Sequence, residues 1–161
     1  MTISRKILIF GGLGLAIWGM GYGIWYAVFT EHQTLDGLGS ALATGFMRAA
    51  DNRMAESQAA LADAASRSFV YVRQVDAHGH WIGLGLLLMI LGIAFDRVGF
   101  GERMRTYLAM ALLAGAVAFP LGVLLETWDR GTVPQAVAIT GSALVILGLS
   151  GTALGFARSN S

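Results

Sequence analysis

The stretch 76-DAHGHWIGLGLLLMILGIAF-95 decides the fold. After its two histidines it is almost wholly apolar, without proline. A run of this length reads as a membrane-spanning helix, which needs roughly 20 mostly apolar residues. Its helical part is placed at 78–95. Working outward, three further runs qualify at 7–29, 107–126 and 135–157. The rest of the composition agrees. The chain is 55% hydrophobic and 13% charged, against about 25% charged in soluble domains. The reading is therefore all-α: an integral membrane four-helix bundle, a single domain over 1–161.

The N-terminal run starts with Arg5 and Lys6 but is longer than the core of a cleaved leader, and no small-residue cleavage site follows promptly. It reads as a retained helix. Basic residues then orient the spans. Arg5, Lys6, Arg97, Arg103, Arg105 and Arg158 gather at one end. Both termini are expected in the cytoplasm, in a bacterial inner membrane. Trp25, Trp81 and Trp128 then fall near the outer interface, where indole rings settle.

The outer segment, about 35–75, is alanine-rich and lacks proline. Its apolar residues recur at helical spacing among interspersed charges, which predicts one or two amphipathic helices. They serve as a lid, a docking surface for a partner, or a contact between copies of the chain. A net charge of +1 gives no reason to expect nucleic acid. The absence of cysteine excludes disulfides, thiolate catalysis and covalently attached c-type haem.

The chain has three histidines, His32, His78 and His80. Polar groups at a span are costly and are functional candidates by default; headgroup or loop contacts are the plainer alternative. Residues two apart on a helix point to nearly opposite sides. His78 and His80 therefore cannot both ligate one ion. The face of His78 continues through Ile82, Gly85 and Met89. Gly85 is expected to leave a flat gap in which a planar macrocycle could stand. The face of His80 runs through Gly83, Leu84 and Leu87, so His80 is the second choice. A zinc or copper site wants three or four ligands, which His32, one of the other two histidines and Glu126 could supply by converging. A haem needs only one protein ligand, with His32 a candidate sixth ligand, and suits a histidine-poor chain better. Glu126 reads as a solvated rim carboxylate, or as a proton-path group or histidine partner.

Other features read as structural. Gly19 with Gly23, and Gly151 with Gly155, have spacings that let helices approach closely. Pro120 should kink its span. Met20, Met89 and Met110 read as packing residues. The glycine runs have no strand before them, so they are not phosphate loops.

The run 77-AHGHWIGLGLLLMILGIAFDRVGFGERMRTYLAMALLAGAVAF-119, within a four-span layout, resembles the styrene oxide isomerase family. The resemblance implies a homotrimer with haem b between subunits, held by the histidine after the alanine, here His78. It implies ferric iron acting as a Lewis acid on a small apolar substrate. The chain departs from the family in three ways. Leu84 stands where the family has asparagine. The third span lacks the family's polar groups, its tyrosine Tyr107 lying at the inner end. The outer segment is longer. The resemblance therefore carries the fold and the haem further than it carries epoxide isomerisation. Lewis-acid or redox chemistry on a small apolar substrate is the first functional expectation. A cofactor-free accessory or scaffold subunit of a larger membrane complex is the alternative.

Overall fold

A computed structural model describes residues 1–159 and contains, among them, five α-helices and no strand. They are α1 (Ile3–Phe29), α2 (Glu31–Ala50), α3 (Met54–Ala94), α4 (Glu102–Leu125) and α5 (Thr132–Ser159), with a 3-10 turn at Phe95–Arg97. Four of them, α1, α3, α4 and α5, are long and apolar enough to cross a membrane. The all-α membrane bundle is what the composition demands, because a chain in hydrocarbon must satisfy its backbone hydrogen bonds internally.

The outer segment and the second span form one helix. α3 has 41 residues, about 60 Å at 1.5 Å per residue. The helix boundary expected at residue 78 is absent. Composition changes there from polar to apolar, but the i to i−4 backbone ladder does not depend on which solvent surrounds it. The expected outer helices are thus α2 and the first half of α3. They pair antiparallel around the Asp51–Arg53 turn, where Asn52 has φ 59°, a left-handed value that asparagine tolerates. Ser57 Oγ, buried, donates to the Gly45 carbonyl at 2.8 Å and ties the two together. Nearer the membrane, Tyr71 OH donates to Glu31 Oε1 at 3.3 Å.

In the membrane, α1 and α3 pack antiparallel through small residues. A Cβ added at Gly12 would lie 2.5 Å from the Gly85 carbonyl oxygen, and one at Gly85 would lie 2.6 Å from that of Gly12. Such reciprocal contact lets backbones touch where lipid supplies no hydrophobic drive for helix association. Gly19 packs the same way against Trp81 and Ile82. α4 joins both helices, and the central cluster of Leu8, Leu88, Phe95 and Leu112 is fully buried among the three. α5 lies outside this cluster. It packs on α4 through Gly115, Gly122, Gly141 and Gly148. Ile139, Ile146, Leu147 and Leu154 are exposed on it. The four spans are therefore a three-helix core with a fourth helix on its flank. Pro120 is fully buried, and α4 is one helix from Glu102 to Leu125 with the proline inside it.

Polar contacts mark both ends. At the end carrying the termini, Ser4 N and Ser4 Oγ donate to the Glu102 carboxylate at 3.0 and 3.2 Å. A carboxylate from α4 thereby caps the first turn of α1, where the helix dipole favours negative charge. Asp96, in the turn beyond the apolar run, accepts from Thr2 Oγ1 at 2.8 Å and from Arg5 Nη1 at 3.0 Å. The Thr2 hydrogen bond first, and the Arg5 charge after it, hold its carboxyl below the usual carboxylate range. At the hairpin end, Arg73 Nε and Glu126 Oε2 pair at 2.8 Å. From Glu102 to Glu126 along α4 is about 36 Å, enough to place the two polar levels on either side of a hydrocarbon core about 30 Å thick.

Trp81 departs from expectation. It is 3% exposed and meets Trp18 edge-on at 6.1 Å and Tyr22 at 5.6 Å between ring centroids. It is a core residue, because its face of α3 looks into the α1 contact. Trp25 and Trp128 remain exposed.

Candidate functional site

The site is built from one turn of α3, Gln74 to His78, and the outer part of α1. His78 Nδ1 lies 3.3 Å from the Gln74 carbonyl oxygen. A carbonyl oxygen only accepts, so the proton of this long hydrogen bond sits on Nδ1. In the neutral imidazole Nε2 then carries the lone pair. The ring lies against Gly23 of α1, where an added Cβ would come 3.1 Å from His78 Cδ2 and 3.6 Å from Nε2. Beside it is a shallow groove of about 310 Å³, lined by Met20, Gly23, Ile24, Ala27, His78 and Ile82.

Of the residues assigned to the His78 face, Ile82 does share this groove. Gly85 and Met89 do not line it. The flat gap expected at Gly85 is filled by the backbone of Gly12 and Ala16, and Met89 packs beside Gly12. A glycine on a helix face suits a neighbouring backbone as well as a macrocycle, and here the backbone occupies it.

His80 stands on another side of α3. Its Nδ1 lies 2.6 Å from the Asp76 carbonyl oxygen. Its ring meets Phe119 of α4 edge-to-face at 4.9 Å. It borders a separate shallow hollow of about 440 Å³ with Val75, Gly79 and Gly83. The two histidines thus serve different grooves, as their spacing requires. His32 is exposed in the first turn of α2.

The convergence of His32, a second histidine and Glu126 on one ion is not found. Among the described residues no group of three His, Asp or Glu side chains is placed to hold a metal ion. Glu126 is neither a solvated carboxylate nor a histidine partner. Its side chain is 12% exposed and paired with Arg73. The cation comes from the part of α3 that the sequence reading placed in the outer segment.

Gln74 escaped the sequence reading. It is buried in the α1 contact, its carbonyl holds His78, and its side-chain oxygen accepts from Tyr22 OH. The signal that could have found it is its place four residues before His78, once the helix is taken as unbroken. No family model, curated protein or solved structure matches this chain.

Proposed function

We propose that the chain is a haem b-binding integral membrane protein of a bacterial inner membrane, with both termini cytoplasmic, and that His78 would hold the haem iron. The observation that carries this is the His78 ring laid against Gly23 beside an apolar groove, its Nδ1 bonded to the Gln74 carbonyl, whereas the His80 ring packs on Phe119. A metal-ligating histidine characteristically donates its other ring N–H to such an acceptor, which fixes tautomer and orientation. Ile82, Met20 and Ile24 would contribute the low-dielectric wall. The groove is shallow and open, so a second copy of the chain would supply its far side. Hence a homo-oligomer, a trimer on the family resemblance. Bound there, haem would supply Lewis-acid chemistry toward a small apolar substrate, or electron transfer where a sixth ligand such as His32 closes the site.

The test is an absorption spectrum of detergent-purified protein, oxidised and then reduced with dithionite. A Soret band that moves on reduction is expected. His78→Ala should lose it and His80→Ala should keep it. A colourless protein from haem-replete cells, or colour that survives in both variants, overturns the reading.

A second reading is a cofactor-free accessory or scaffold subunit. It is favoured by Phe46, Met47 and Met54, all exposed near the tip of the outer hairpin. It predicts that a larger partner co-purifies and is lost when residues 40–70 are deleted. A stable, coloured homo-oligomer refutes it.

A further inference from the structure

A cavity of about 410 Å³ lies between α1 and α4, away from the His78 groove. On α1 it is lined from Gly11 through Gly14 and Trp18 to Tyr22, and on α4 from Leu113 to Leu124. The His78 groove uses Met20, Gly23, Ile24 and Ala27, which lie on the opposite side of α1 at 100° per residue.

The cavity is a slot. Twelve residues of helix on each wall, eleven rises of 1.5 Å, make it about 16 Å long. Its lining is almost wholly apolar, and Trp18, Val117 and Leu121 in it are exposed, so the slot opens sideways to the lipid. Half of a hydrocarbon core is about 15 Å deep. The slot runs from the middle of α4 up to the level just below the Arg73–Glu126 pair. It thus spans one leaflet, the one on the hairpin side. Gly14 is exposed, and an added Cβ there would meet nothing within 4 Å, so this glycine is not explained by packing between helices. It leaves the wall of the slot open.

We infer that the slot between α1 and α4 is a binding site for one unbranched acyl chain, inserted from the hairpin-side leaflet. The acyl chain ends against Gly11 and Leu113, where an added Cβ on the glycine would already touch the leucine at 2.8 Å. Its headgroup end lies at the level of Tyr22 and Leu124.

Trp81 makes the test specific, because it lines the slot yet is almost closed to surrounding lipid. The full chain is prepared with Trp18, Trp25 and Trp128 changed to Phe, leaving Trp81 as the emitter, and placed in phosphatidylcholine nanodiscs. Two quenchers are compared, 9,10-dibromostearic acid and phosphatidylcholine carrying the same brominated chain. Saturable quenching of Trp81 is expected, and Gly14→Leu should abolish the saturable part by filling the slot. Val117→Phe, from the α4 wall, is the second blocking variant should Gly14→Leu fail to fold. Saturation by the free acid alone identifies a single-chain amphiphile, and saturation by both identifies a bilayer lipid. Absence of saturable quenching, quenching that persists in both blocked variants, or saturation by 1-bromonaphthalene in place of the chains overturns the inference.

Discussion

At the scale of single residues, glycines divide sharply by what they face. Gly23 gives room to the His78 ring, and Gly85 gives room to the backbone of α1. If His78 holds a haem as proposed, Gly23→Val should displace the imidazole and remove the Soret band while α1 and α3 stay paired. Gly85→Val should act on the fold. Overpacking of this kind costs about 1–3 kcal/mol, read as a lower thermal midpoint in detergent, with colour lost only on unfolding. If Gly85→Val bleached a protein of unchanged midpoint, Gly85 would belong to the cofactor site after all. Glu126 offers a third case. Its pair with Arg73 is partly buried. The cost of Glu126→Gln should fall between the about 0–1 kcal/mol of exposed pairs and the about 3–5 kcal/mol of broken buried ones. Arg73→Met with Glu126→Gln should recover part of that loss, since no charge is then left unpaired. An additive double variant would show that the two side chains do not interact.

At the scale of elements, α3 is the helix that composition divides and hydrogen bonding does not. Gly79 and Gly83 lie in its middle, and an added Cβ at either would meet nothing within 4 Å. Glycine inside a helix costs about 0.5–1 kcal/mol relative to alanine. Gly79→Ala should raise the thermal midpoint accordingly, whereas a helix that started at residue 78 would gain little from it. The same element shows what was legible in the sequence. The four spans could be read because a hydrocarbon solvent imposes length and composition directly on the chain. The continuity of α3 could not, since a helix that leaves lipid for water changes its residues and keeps its bonds. His78 could be picked out as a polar group at the edge of a span. Its partner Gln74 could not, because it lay beyond the assumed helix start. Gly85 and Trp81 were misplaced because a face of a helix does not announce whether lipid, a cofactor or another helix covers it.

At the scale of the whole molecule, two hairpins of unequal height stand together. The α4–α5 pair exceeds the apolar runs by only a turn or so, while the paired α2 and α3 continue past the Arg73–Glu126 level. The chain has no native cysteine, so its sidedness can be mapped with single introduced ones. On the proposed orientation, Asn52→Cys should react with a membrane-impermeant maleimide on intact spheroplasts. Arg97→Cys should react only after lysis, and the reverse pattern would invert the topology. The uninterrupted course of α3 also has a practical consequence. A small membrane protein buried in a detergent belt offers little for single-particle images to align on. Here one helix passes unbroken from the interior to the Asp51–Arg53 turn. An antibody fragment raised against that turn would be joined to the spans by a stiff rod, and would serve as a fiducial whose viewing angle reports that of the transmembrane core.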